Sequence, residues 1–253
     1  MAETIKDIKN RFDNCDKGGF SAFILDYEKD DRAGVQRLVL RAKNELAKLE
    51  AEKKRLYEMG AFERKYRGEC PDICGIDEAG RGPLAGPVVA GAVILPEDAD
   101  ILYINDSKKL SPGLREELFD KICKEAKAVG VGMASPSEID EINILQATYL
   151  AMRRAIKDLG TVPDMLLNDA VVIPEVGVRQ VGIIKGDAKS VSIAAASIIA
   201  KVTRDRIMAD YDKKYPGYGF AAHKGYGTKE HYAAIEKLGI CEIHRKTFLK
   251  GIV

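Results

Sequence analysis

The sequence predicts an α/β layer fold preceded by a small all-helical appendage. Three observations carry this reading. Short Val/Ile-rich runs at 71–77, 86–95, 129–134, 164–169 and 180–185 alternate with longer helical patterns, which is the signature of a sheet with helices packed on it. Residues 1–69 contain helical periodicity and no strand-like run. Four carboxylates, Asp77, Glu78, Asp169 and Asp187, stand where apolar runs meet a break in the pattern.

In chain order, residues 3–13 suit a short helix with Ile5, Ile8 and Phe12 on one stripe, and Phe20 to Tyr27 suits a second. From about Asp31, the spacing of Val35, Leu38, Leu40, Leu46, Leu49 and Leu56 gives a long amphipathic helix that Gly60 stops. Basic clusters, Lys53-Lys54-Arg55 and Arg64 to Arg67, read either as a solvated helix face or as extra nucleic-acid contact. After Pro71 the runs 71–77 and 86–95, joined by a short glycine-rich link, predict an antiparallel hairpin. Ser111 caps a helix to about Ala128, and a short strand follows from Val129 to Ala134. Helical patterning then runs from Ser137 to Leu159, and two strands near 164–169 and 180–185 carry the later aspartates. A helix from Ser192 to Asp210 opens on small residues, Ala194 to Ser197, which permit close packing on the sheet, and Thr228 to Leu238 is the last clear helix.

Composition narrows the class. The 253 residues are 46% hydrophobic, enough for a sizeable core, yet no apolar run is long enough to cross a membrane as a helix. The first residues lack a secretory signal pattern, and five cysteines, an odd number, point to a reducing, cytoplasmic setting. Cys70 and Cys74 lack the second pair that a zinc knuckle needs. The formal charge is +1, but residues 70–178 hold 10 Lys/Arg against 18 Asp/Glu and residues 179–253 hold 14 against 7. An acidic half beside a basic one suits a polyanion gripped next to a cation site; if the halves interleave in space, the asymmetry averages out.

Acidic side chains gathered at strand ends are costly unless neutralised. Hard divalent cations, Mg²⁺ or Mn²⁺, prefer such oxygen ligands, and a paired-metal carboxylate site suits in-line attack on a phosphodiester. Asp77 and Glu78 are adjacent, so both reach one site only if the strand ends there, which the following Gly80-Arg81-Gly82 makes reasonable. Lys108 and Lys109, in a polar loop after Asp106-Ser107, suit phosphate as point charges, with plain surface lysines as the alternative. Tyr226, flanked by Gly225 and Gly227, reads as exposed.

These motifs resemble a known family, bacterial ribonuclease HII, the type 2 ribonuclease H. The resemblance covers about 71–248. It rests on Asp77-Glu-Ala-Gly-Arg-Gly-Pro-Leu-Ala-Gly86, Asn105-Asp-Ser-Lys-Lys-Leu-Ser111, Gly186-Asp187 leading into Ser192 to Asp205, His223-Lys-Gly-Tyr-Gly-Thr-Lys-Glu-His231, and His244-Arg-Lys-Thr-Phe248. It implies a ribonuclease H-like mixed five-stranded sheet flanked by helices, with a helical C-terminal part. It implies that Asp77, Glu78, Asp169 and Asp187 are the catalytic and metal-binding acids, serving Mg²⁺ or Mn²⁺ in a two-metal mechanism. The implied substrates are RNA–DNA hybrids and duplex DNA with embedded ribonucleotides, cut on the 5′ side to leave a 3′-hydroxyl and a 5′-phosphate. Gly80, Arg81, Gly82 and Tyr226 are implied readers of the RNA–DNA junction, and Lys108 and Lys109 substrate contacts. His223, His231 and His244 are expected to be structural or near substrate rather than catalytic.

The resemblance divides the chain into a helical extension, 1–69, with an expected substrate-binding role, and a catalytic domain, 70–253. A monomer without a membrane partner is expected. The implied role is removal of misincorporated ribonucleotides, with a replication clamp as a further candidate contact. Two departures from the family pattern stand out: Ala170 where many relatives have glycine, and Asn168 in place of an apolar residue. Rival readings are the sister enzyme ribonuclease HIII, which shares the fold without junction preference, a non-catalytic hybrid-binding protein, and another ribonuclease H-like nuclease such as a resolvase. Arg81 with Tyr226, the full acid set, and the Asp-Ser-Lys-Lys and Lys-Gly-Tyr-Gly motifs weigh against them in turn.

Overall fold

Four of the five strands run in the same direction, and three neighbours among them end on the edge of the sheet where the motif acids collect. The computed structural model describes residues 3–16 and 18–251. By its packing the chain divides into two units, Met1–Glu58 and Met59–Val253. In the first, α1 (Ile5–Asp13), α2 (Phe20–Tyr27) and the long α3 (Ala33–Met59) are helical as the spacing predicts. Thr4 and Asp7 form a reciprocal cap on α1. Ile8, Phe12, Phe23, Tyr27, Val35, Leu38, Val39 and Ala42 share one small core, while Ile5 of the predicted stripe is exposed. Lys53 and Arg55 of the first basic cluster pair along the helix with Glu50 and Glu52.

In the second unit, α4 (Ala61–Tyr66) precedes the sheet. Its Phe62 and Tyr66 pack on Cys70, Ile73, Met165, Leu167, Ile183 and Ile193, so the division by packing falls before the 69/70 boundary that the resemblance suggests. The sheet contains β1 (Ile73–Ala79), β2 (Val88–Ile94), β3 (Ala128–Ala134), β4 (Met165–Asp169) and β5 (Arg179–Ile183), in the order β3-β2-β1-β4-β5. β1–β2 and β2–β3 are antiparallel, and β1–β4 and β4–β5 are parallel. The carboxyl ends of β1, β4 and β5 therefore share an edge, beside the point where strand direction switches.

Helices cover both faces. α5 (Pro112–Glu125) stops three residues short of the expected Ala128, because β3 takes Ala128 to pair with Ile94. α6 (Pro136–Asp158) covers the face formed by Cys74, Ile76, Ala90, Ala92 and Leu166. It begins earlier than the sequence reading placed it, because Ser135 and Glu138 complete a capping box, and it kinks at Asn143 (φ 67°). α7 (Val191–Lys214) covers the other face at close range. A Cβ on Gly75 would stand 2.0 Å from the Ser192 backbone, and one on Gly91 would stand 2.4 Å from the Ala196 carbonyl. Only glycine lets the helix lie so near the strands.

The C-terminal part adds α8 (Phe220–His223), which the sequence reading did not foresee, and α9 (Lys229–Leu238). Leu84, Ala85 and Gly86 are sewn to it by backbone bonds from Leu84 N–H to Gly225, Gly86 N–H to Ile243 and Arg245 N–H to Leu84. All three histidines sit here: the rings of His223 and His231 stack at 4.4 Å, and His231 and His244 are buried. Burial, and then the charge of a protonated His231, lower the His244 pKa from 6.5 to about 4.

A histidine whose folded pKa is depressed takes up its proton first in the unfolded chain. His244 therefore contributes stability that is intact above pH 6.5 and is lost as pH falls toward about 4. Wild type should lose stability relative to His244→Gln across that window in pH-dependent denaturant unfolding. Parallel curves for the two proteins would contradict this.

Candidate active site

Asp77 and Glu78 lie in β1, Asp169 is the last residue of β4, and Asp187 sits in a short turn, Gly186–Ala188, between β5 and α7. The expected break at the acid pair does not occur there: β1 continues, pairing Glu78 with Ala90 and Ala79 with Val89, and turns only at Gly80 (φ +92°). Asp77 is on the α7 face, where Ser197 donates to it and is itself bonded to Ser107 at 2.9 Å. The Glu78 N–H also donates to Asp77, at 2.7 Å. Asp169 accepts from the Gly186 N–H at 2.7 Å, which ties β4 to the turn that carries Asp187. Just beyond, the Glu63 carboxylate of α4 accepts from the Ser190 hydroxyl (2.5 Å) and the Ser192 N–H (3.0 Å), anchoring the start of α7.

Electrostatics bind these acids into one group. Burial, then the Glu78 charge, push Asp77 well above the carboxylate range, with Asp169 adding to the shift. Burial raises Glu78, opposed by Arg81 and reinforced by Asp169. Burial raises Asp187, then the charges of Asp106 and Asp169. Lys108 faces the group: its own burial works to lower its pKa, but Asp77, Asp106 and Asp187 outweigh this and raise it.

Next to the acids is a cavity of about 470 Å³ lined by Glu78, Gly80, Arg81, Gly82, Lys108 and Tyr226, with Ser107, Arg115, Ser197, Lys201 and Arg204 completing the wall. Tyr226 is 47% exposed, and a Cβ on Gly82 would stand 3.7 Å from its ring. Arg81 reaches back to Glu78 at 3.3 Å. Lys109 is not in this wall; its exposed side chain is 4.0 Å from Asp106.

Two buried arginines shape the loop. Arg245 donates to the carbonyls of Gly80 (2.5 Å), Arg81 (2.8 Å) and Gly86 (2.9 Å). Arg204 donates to those of Pro87 (3.0 Å), Lys224 (3.0 Å) and Ala85 (3.2 Å). The sequence leaves Arg204 open between a plain surface arginine, the favoured reading, and a contact to the nucleic-acid backbone, and it gives Arg245 no role. The signal available was an arginine in each of two motifs far apart in the chain, which does not reveal that both point inward. Lys201, open in sequence to the same two readings, pairs with Asp205 at 2.6 Å.

The donor set suits a hard cation: oxygen ligands only, gathered close enough to repel one another. Among the described residues, no three His, Cys, Asp or Glu side chains already close around one point. Glu78 is drawn to Arg81 and Asp187 lies against Asp106, so a cation would have to compete for both. The acids fit the group in chemistry and position, with those two side chains turned toward other partners.

The two departures from the family pattern have structural accounts. Asn168 is buried and its amide donates to Gln180 (2.9 Å) and to the Val171 carbonyl (3.2 Å), pinning the segment after β4. Ala170 adopts φ +57°, the left-handed region that favours glycine.

Comparison with known proteins gives a consistent picture. Residues 74–250 match the family model for ribonuclease HII, and residues 4–67 match that for the ribonuclease HII N-terminal domain. A ribonuclease HII of Lachnoclostridium phytofermentans is 55% identical, over 98% of this chain and 97% of its own. The crystal structure of a ribonuclease H2 from Pyrococcus horikoshii superposes with a TM-score of 0.60 at 32% identity, covering 72% of this chain and 96% of that one. The ribonuclease HII of Archaeoglobus fulgidus, solved in complex with PCNA, gives 0.58 at 31% identity, covering 69% of this chain and 93% of that one.

A left-handed alanine costs roughly 1–2 kcal/mol, against about 0.4–1 kcal/mol for the extra freedom that glycine has when unfolded. Ala170→Gly should therefore leave stability unchanged or raise it by up to about 1.5 kcal/mol, while Ala170→Val should lower it; equilibrium unfolding checks both. A clear loss in the glycine variant would contradict the strained conformation.

Proposed function

The chain belongs to the ribonuclease HII family, and on that premise we propose that it both hydrolyses the RNA strand of RNA–DNA hybrids and incises duplex DNA on the 5′ side of a single embedded ribonucleotide. The observation that carries the finer part is the shared wall of one cavity: Gly80, Arg81, Gly82, Lys108 and Tyr226 face the same space, next to the acids.

Asp77, Glu78, Asp169 and Asp187 would hold two Mg²⁺ or Mn²⁺ ions. Bound there, the ions would supply a nucleophilic water at neutral pH and offset the charge on the leaving 3′-oxygen. The products would be a 3′-hydroxyl and a 5′-phosphate. The chain's own residues do the reading. Arg245 occupies the Gly80 and Arg81 carbonyls, so the loop offers its N–H groups to the 2′-hydroxyl, the group that tells RNA from DNA. Tyr226, half exposed beside Gly82, packs on the following deoxyribose, where a second hydroxyl would be crowded. Lys108, kept charged by the acids, holds the phosphate as a point charge, and Arg81 exchanges Glu78 for phosphate when substrate arrives. Lys109, exposed at the rim, adds only a long-range attraction to the backbone.

Replacing a carboxylate by an amide removes a charged ligand without changing shape. Asp77→Asn and Asp169→Asn should each lower turnover by on the order of 10²–10³-fold while leaving hybrid binding largely intact, measured by single-turnover cleavage and by binding in Ca²⁺. Normal turnover in either variant would sink the acid assignment. Tyr226→Ala should weaken incision at a single ribonucleotide by about tenfold more than cleavage of a long hybrid, the scale of one lost base or sugar stacking contact. Equal losses on both substrates would count against junction reading.

A further inference from the structure

The shortest contacts of the histidine cluster fix one set of ring protons, the Cys241 N–H at 2.9 Å prevailing over the Cys241 carbonyl at 3.3 Å on His244 Nδ1, and that set ends on Tyr226. The Cys241 N–H points at His244 Nδ1 at 2.9 Å, so that nitrogen accepts and the His244 proton is on Nε2. His244 Nε2 lies 3.1 Å from His231 Nε2, so it donates there, and the His231 proton must be on Nδ1. His231 Nδ1 is 2.9 Å from the Tyr226 carbonyl and donates to it. His223 is fixed the other way: it accepts from the Gly225 N–H on Nδ1 (3.1 Å) and donates from Nε2 to the Tyr218 carbonyl (2.7 Å).

This bears on how Tyr226 is oriented. Its ring is half exposed, and the chain enters it through two left-handed residues, Lys224 (φ 53°) and Gly225 (φ 83°). Its backbone, by contrast, is held at both ends. The Tyr226 N–H donates to the His223 carbonyl (3.0 Å), and the Tyr226 carbonyl accepts from both the Thr228 N–H (2.9 Å) and His231. His231 is fully buried, stacked on His223 and edge-on to Phe220, so it cannot turn aside.

We propose that His231, held as its Nδ1–H tautomer by His244, is a positioning residue that aims Tyr226 at the substrate sugar. The inference rests on the junction-reading role proposed for Tyr226 and assigns the group that sets it. His231 touches no reacting atom; it acts through the Tyr226 carbonyl alone.

Two measurements test it. In the wild-type chain with ¹⁵N-labelled histidine, long-range proton–nitrogen NMR correlation should show His231 as the Nδ1–H form and His223 and His244 as Nε2–H forms. An Nε2–H proton on His231 would overturn the proposal whatever the enzyme does. Second, the ratio of single-ribonucleotide incision to long-hybrid cleavage is read in two variants whose folding is checked by thermal melting. His231→Phe keeps a ring in the stack and loses the donor; the ratio should fall about tenfold, the size of one lost buried hydrogen bond. His231→Asn places an amide N–H where Nδ1–H stood and should restore the ratio to within about threefold of wild type. An unchanged ratio in His231→Phe, or an Asn variant no better than Phe, would mean a merely structural histidine. Failure of the proposed function itself is told apart without any variant, since wild type would then not incise the single-ribonucleotide duplex, and the aiming role would fall with it.

Discussion

Two guanidinium groups, Arg204 and Arg245, are buried at the carboxyl end of β1 and are satisfied there by backbone carbonyls. Burial works against both charges, and in Arg245 the neighbouring Arg204 adds to the effect. Six carbonyls offset this: five from the segment 80–87, which leaves β1 and returns as β2, and one from Lys224. The segment is irregular and largely buried, so its carbonyls would otherwise lack partners. Each arginine also draws together parts of the chain that are far apart: Arg204 comes from α7, and Arg245 from the tail after α9. The loop beside the acids, the helix over them and the C-terminal part that carries Tyr226 are thus fixed by the same bonds.

The acids impose the complementary constraint. Parallel β1, β4 and β5 deliver Asp77, Glu78, Asp169 and Asp187 to one edge, where burial and neighbouring acids raise Asp77, Glu78 and Asp187. The fold resists that repulsion with rigid backbone: the Gly186 N–H on Asp169, the Glu78 N–H on Asp77, and Glu63 at the start of α7. The remaining imbalance is relieved by positive charge, from Arg81 and Lys108 in the protein alone and from divalent cations in the proposed mechanism.

Much of this was legible in the sequence because it depends on local patterns. The strands announced themselves as short β-branched runs, and the helices as apolar stripes, one of them with its cap at Ser111. What stayed hidden depends on facing direction. Glu78 and Ala79 extend β1 because Ala90 and Val89 wait opposite them, which no local pattern in 77–82 reveals. Arg204 and Arg245 look like surface arginines in sequence, and only the folded chain turns both inward. Glu63, just before a basic cluster and easily taken for a surface acid, is buried. Ala170 shows the converse: an absent glycine was visible as a departure, and its physical meaning, a left-handed backbone, needed the structure.

The most direct measurement is the position of the nick. Duplex DNA containing one ribonucleotide would be incubated with the full chain and Mg²⁺ or Mn²⁺, and the product ends mapped at nucleotide resolution. A single cut on the 5′ side of the ribonucleotide, leaving a 3′-hydroxyl and a 5′-phosphate, is the predicted result. Cleavage of a long RNA–DNA hybrid with no cut at the single ribonucleotide would contradict the account, because the loop and Tyr226 would then read no junction.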